Sequence, residues 1–109
     1  MTDLADRKCT HRTGPALRRG ESESLLKQVH GWSIAADGKS LHRAFAFENY
    51  YRTMAFVNAV AWVAHGEDHH PDLEVGYNRC TVRFSTHSVG GLSENDFISA
   101  AKLDALLRD

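Results

Sequence analysis

The residue order predicts an α+β fold: a single four-stranded antiparallel sheet carrying three helices on one face, in the order α-ββα-ββα. Segments with apolar residues at alternate positions occur in two adjacent pairs, and each pair is followed by a segment of helical period. A further helical segment precedes the first pair. With 109 residues, 42% hydrophobic and 25% charged, the chain is expected to form one domain over 1–109, and the composition weighs against a wholly disordered, collagen-like or low-complexity chain.

The apolar-poor, net basic stretch 1–19 reads as a flexible N-terminal arm ended by Gly14-Pro15. Glu21–His30 then places Leu25, Leu26 and Val29 on one helical stripe, and Gly31 stops it. Trp32-Ser33-Ile34 alternates as a strand, Asp37-Gly38 is a hairpin turn, and Leu41, Phe45 and Phe47 mark a second strand. From Glu48 to Ala64 the period becomes helical. Here Tyr51, Met54, Phe56, Val57, Val60, Ala61, Trp62 and Val63 cover a wider arc than one sheet face needs, so a partner surface is expected on the second face. Gly66 and Pro71 punctuate the next stretch. Leu73, Val75 and Tyr77 then form a third strand, and Cys80, Val82, Phe84 and Thr86 a fourth, which leaves Arg83, Ser85 and His87 on its other face. After Gly90-Gly91, Ser93 caps a closing helix whose first turn carries Glu94 and Asp96 and whose inner face carries Phe97, Ile98 and Ala101.

Thirteen Lys and Arg balance fourteen Asp and Glu to a net charge of −1, which gives no general field for nucleic acid or an anionic membrane. The longest apolar stretch, Ala59–Ala64, falls far short of the ~20 residues of a membrane span, and no apolar h-region follows the N-terminal charges, so no export is expected. Cys9 and Cys80 form no CxxC pair. A soluble, cytoplasmic protein without a disulfide framework is expected.

Seven histidines are the unusual feature, and His65, His69, His70 and His87 fall within one short region. The segment His65-Gly-Glu-Asp-His69-His70-Pro71 gathers ionisable groups where a helix gives way to a strand. Two chemistries compete for it. In a metal site, His65 and His69 at i, i+4 share a helical face and His70, His87 or Glu67 completes a tetrahedral set. Gly66 weakens the helix that this needs, and Glu67 is not at the HExxH position. In a metal-free site, the imidazoles exchange protons, because an ordinary pKa near ~6.5 makes both forms available at neutral pH.

Asp68-His69-His70-Pro71-Asp72, Gly76-Tyr77-Asn78, Ser85-Thr86-His87, Gly91-Leu92-Ser93 and Asp96 together form a pattern that resembles the pterin-4a-carbinolamine dehydratases. Gly31-Trp32, Asp37-Gly38 and Leu41-x-Arg43-x-Phe45-x-Phe47 extend the resemblance over roughly residues 20–108. One departure is His65, where many members carry an acidic residue.

The resemblance implies a hydro-lyase that converts 4a-hydroxytetrahydropterin to quinonoid dihydropterin and water during pterin recycling, with no cofactor and no metal. It implies His69, His70 and His87 as the catalytic set, with Asp96 in support. His69 and His87 are the candidates for proton transfer and His70 for binding. Trp32, His65 and Arg83 are further candidates for the pocket, whereas His11, His30 and His42 are expected to be silent. A homodimer or homotetramer is also implied. Two other functions share the resemblance: a non-catalytic dimerisation module, and an enzyme acting on another pterin such as a molybdenum-cofactor precursor.

Overall fold

The computed structural model describes residues 3–107; Met1 and Thr2 of the expected arm lie outside them. Three helices, α1 (Arg19–Leu26), α2 (Tyr50–Glu67) and α3 (Glu94–Leu106), alternate with strands β1 (Ser33–Ile34), β2 (Leu41–Ala46), β3 (Asp72–Val75) and β4 (Arg79–Phe84). All pairings are antiparallel and the strand order is β1-β2-β4-β3, so the two hairpins join through their inner strands. This is the α+β arrangement that the alternation of periods predicts.

Register explains the core. Leu41 stands opposite Phe84, Arg43 opposite Val82 and Phe45 opposite Cys80, which puts the apolar residues of both central strands on the helix side. Leu41, Cys80, Val82 and Phe84 are buried there with Phe56 and Val60 of α2 and Phe97, Ile98 and Leu103 of α3. Trp32 meets Phe45 edge-on at 5.8 Å between centroids and Phe84 at 5.9 Å. Its indole N–H donates to Asp104 Oδ1 at 2.9 Å, and Arg43 pairs with the same oxygen at 2.8 Å. Burial pushes the Asp104 carboxyl above the usual range, against the opposing pull of the Trp32 N–H and the Arg43 charge. Cys9 and Cys80 are both free and buried, and burial raises both thiols.

Several boundaries differ from those expected. α1 starts earlier, because the Glu21 carboxylate accepts the Arg18 N–H at 2.8 Å, and it ends at Leu26 in tight turns that still bury Val29. Gly66 does not interrupt α2. Asn49 caps that helix by accepting the Arg52 N–H at 2.9 Å, and it ends only at Asp68, in the left-handed conformation at φ 53°. Tyr77 leaves β3 for the turn, where the Gly76 N–H donates to Arg79 O at 2.7 Å. Thr86 lies past β4 and bridges Gly91 alone, followed by a 3-10 turn over His87–Val89 and a left-handed Gly90.

The N-terminal segment is packed along the end of α2 and the start of α3. Leu4 is buried in the core, Arg7 pairs with Glu94 at 2.8 Å, and the Cys9 N–H donates to Glu67 Oε1 at 2.8 Å. Asn95 donates from Nδ2 to Thr10 O at 2.7 Å and accepts from the Thr10 N–H at 3.2 Å and Arg12 Nε at 3.0 Å. Residues 4–12 therefore do not behave as the free arm expected from composition, because the partners that hold them come from distant parts of the chain.

Gly66 sits in an uninterrupted helix with open space where a Cβ would go. Gly66→Ala is expected to stabilise the fold by about 0.5–1 kcal/mol through the lost backbone entropy of glycine, measured by denaturant melts.

Candidate active site

The site grows from the end of α2. The His69 N–H donates to Ala64 O at 3.2 Å and the Asp68 N–H to His65 O at 3.3 Å, the paired bonds that close a helix on a left-handed residue. Asp tolerates this conformation better than most residues, and the reversal sends His69 inward while His70 stays exposed. The His69 ring, with 11% of its side chain exposed, stacks on Phe84 at 5.8 Å between centroids and an interplanar angle of 10°.

Asp96, fully buried, holds that ring. Its Oδ1 lies 2.7 Å from His69 Nε2, while Oδ2 accepts from Thr86 Oγ1 at 2.8 Å and the Ser93 N–H at 2.9 Å. Ser93 Oγ lies 2.7 Å from Thr86 Oγ1 and accepts the Asn95 N–H at 3.2 Å. With Oδ2 taken by two donors, Oδ1 is the oxygen left to face His69 Nε2. His69 Nδ1 makes no hydrogen bond among the described residues. Asp96 also lies in the first turn of α3, where the helix dipole favours negative charge.

His87 stands exposed on the turn after β4. It lines a hollow of about 290 Å³ together with His69, His70, Arg83, Thr86 and His11. A second hollow, of about 410 Å³, shares His69 and His70 and is walled by Val60, Ala64, His65, Pro71 and Leu73. A larger groove of about 610 Å³ lies elsewhere, beside Arg43 and Asp104, whose charges already answer each other.

The structure thus brings together His69, His70, His87, Asp96, Arg83 and, on the apolar side, His65. It does not bring Trp32, which lines neither hollow and lies in the core on Phe84 and Asp104. The metal geometry also fails locally: His69 lies beyond the left-handed Asp68, so it does not share a helical face with His65. Among the described residues, no group of three or more His, Cys, Asp or Glu side chains is arranged to hold a metal ion.

Sequence reasoning missed two features. Thr86 and Ser93 as donors to Asp96 had a signal in Ser93-x-x-Asp96, the spacing of a capping box in which the first-turn acid bonds back to the cap N–H. His11 had none, since nothing local says that the N-terminal segment returns to the site.

A small antiparallel sheet under three helices carries, where α2, β4 and α3 meet, a buried carboxylate bonded to one of several imidazoles that line adjoining hollows. The sequence model of the family Pterin 4 alpha carbinolamine dehydratase matches residues 15–106, and the chain belongs to that family. It is 62% identical over 110 residues to a Nitrosomonas eutropha protein provisionally named pterin-4-alpha-carbinolamine dehydratase, covering 98% of this chain and 96% of the relative. A Stenotrophomonas maltophilia protein with the same provisional name is 60% identical over 108 residues, covering 97% and 93%. Among solved structures, a transcriptional coactivator/pterin dehydratase from Brucella melitensis superposes with a TM-score of 0.81 at 30% identity, covering 85% of this chain and 99% of that one. A pterin dehydratase-like protein identified as a RuBisCO assembly factor in the alpha-carboxysome gives 0.62 at 27% identity, covering 71% and 89%. No helix of the described residues is long and apolar enough to cross a membrane.

Thr86→Val keeps the shape of the side chain but strips one donor from Asp96 and leaves the Ser93 hydroxyl without that partner. It is expected to cost roughly 1–3 kcal/mol in denaturant melts, with Thr86→Ser close to wild type.

Proposed function

We propose that this protein is a cytoplasmic 4a-hydroxytetrahydropterin dehydratase of tetrahydropterin recycling, working through His69, His70 and His87. The observation that carries the reading is the buried Asp96 carboxylate bonded to His69 Nε2 at the edge of a hollow that His70 and His87 also line. Dehydration breaks the bond between C4a and its hydroxyl oxygen, that oxygen gains a proton, and a ring N–H loses one, so no proton is gained or lost overall. His69, with Nδ1 free and a carboxylate behind it, is suited to take the ring proton, since the imidazolium that forms meets a negative charge. His87, exposed and able to exchange protons with solvent, is suited to protonate the leaving hydroxyl. His70 binds the substrate, with Arg83 and His65 in support at the two hollows. No metal or cofactor enters any step.

The relatives described as a coactivator and as an assembly factor raise a non-catalytic alternative. A carboxylate-bonded imidazole beside a hollow that two further histidines line is the arrangement that proton transfer asks for, which favours the enzyme. The test is stopped-flow dehydration of enzymatically generated 4a-hydroxytetrahydropterin in the presence of a chelator. His69→Ala and His87→Ala are each expected to lower kcat by about 10²- to 10⁴-fold with unchanged circular dichroism, and His70→Ala to raise KM more than it lowers kcat. Wild-type kinetics in all three variants would reject the assignment.

A homo-oligomer, dimer or tetramer, built on the outer face of α2 is also proposed. Tyr51, Ala55, Asn58 and Trp62 follow one another at spacings of four, three and four on the exposed side, with Tyr51 82% and Trp62 79% exposed. Val60 faces the core instead, at 1% exposure, so Val60→Glu tests folding and Trp62→Glu tests assembly. Light scattering is expected to give an oligomer for the wild type and a folded, smaller species for Trp62→Glu.

A further inference from the structure

We propose that His11 is a substrate-contacting residue of the histidine pocket, delivered to its mouth by an N-terminal strap; this rests on the dehydratase reading above. The strap lies ahead of the stretch that matches the family, which begins at residue 15, so the family pattern assigns His11 no role. In the structure, His11 lines the same hollow as His69, His70 and His87.

The strap is fixed on both sides of this residue. Before it, the Cys9 backbone N–H is held by Glu67, and Thr10 is held in both directions by the buried Asn95 side chain. After it, Arg12 donates from Nε to Asn95 Oδ1 and pairs with Glu94 at 3.4 Å. His11 is thus the unanchored side chain between three anchored neighbours: it is exposed and makes no hydrogen bond among the described residues. Desolvation raises the Glu67 carboxyl, but the Cys9 N–H and the charges of Lys102 and Lys8 outweigh it, and the net direction is downward. Glu67 is therefore a charged anchor at neutral pH. Asn95 anchors the strap one residue before Asp96 in the first turn of α3, so the strap and the carboxylate that holds His69 are set by the same helix end.

The chemistry fits a planar, polar heterocycle. His69 is occupied on one side by Asp96, and a ligand seated against the trio in the hollow of about 290 Å³ also lies against the residues that share its lining, Arg83 and His11 among them. His11 and Arg83 are what it meets at the mouth, and His11 supplies a hydrogen bond there. Such a contact is equally present before and during the reaction, so it acts on binding and not on turnover.

The test measures kcat and KM for His11→Ala, His11→Gln and His11→Phe in the full chain, with 7,8-dihydrobiopterin binding by fluorescence titration as a second readout. Expected are a 5- to 30-fold rise in KM and in the dihydrobiopterin Kd for the Ala and Phe variants, kcat within twofold of wild type, and recovery by Gln, in line with the loss of one hydrogen bond. Unchanged KM and Kd in His11→Ala would overturn the contact, and rescue by Phe but not Gln would overturn the hydrogen bond. Asn95→Ala, or Arg12→Ala if the former does not fold, is expected to raise KM as His11→Ala does, and the double variant no further. Additive effects would overturn delivery by the strap. If the wild type binds dihydrobiopterin but does not dehydrate its substrate, the catalytic reading fails while the Kd series still decides the role of His11.

Discussion

A carboxylate with no exposure to water must be answered by donors on every side, and Asp96 imposes that requirement on three separate parts of the chain. Its own helix supplies the Ser93 N–H, the segment after β4 supplies the Thr86 hydroxyl, and the connection out of α2 supplies His69. Leaving any one of them out strands a buried charge or a buried donor at a cost of roughly 1–3 kcal/mol per hydrogen bond. The network that closes the C-terminal half of the fold is therefore also the one that fixes the direction of the site's inner histidine.

The same helix start does a second task. Asn95, next to Asp96, is committed to the N-terminal segment through three hydrogen bonds, while Glu94 takes Arg7 and Arg12. One turn of α3 thus binds the pocket floor with one residue and the strap beside the pocket with its neighbours. Strap and floor are coupled by covalent adjacency, which needs no transmitted conformational change.

Helix α2 carries large apolar side chains on two unlike faces. Phe56 and Val60 pack on the sheet, whereas Tyr51 and Trp62 stand in the open in the described chain. The inner face accounts for the position of His69, because the length and end of this helix decide where its C-terminal reversal falls. The outer face is free of that duty, and it is the face on which the proposed homo-oligomer is built.

Much of this was legible in the residue order. Alternation at Leu41, Phe45, Cys80, Val82 and Phe84, the Asp37-Gly38 turn and the Ser93 cap each follow from local physics, so the four strands, the three helices and their single-face arrangement could be read without coordinates. The histidine cluster was legible too, through residue types held at fixed spacings. Boundaries that depend on long-range partners were not. Whether Gly66 ends a helix is settled by the bonds that Asp68 and His69 make behind it, and whether Trp32 faces a pocket or the core by Asp104, far along the chain. The N-terminal segment looked free because it holds few apolar residues, yet Asn95, Glu67 and Glu94 hold it through hydrogen bonds whose partners lie some 58 to 87 positions away. Periodicity records how a segment meets its own neighbours in sequence. Only the folded chain decides which distant polar groups meet, and that is what gave Asp96 its donors and His11 its place at the pocket.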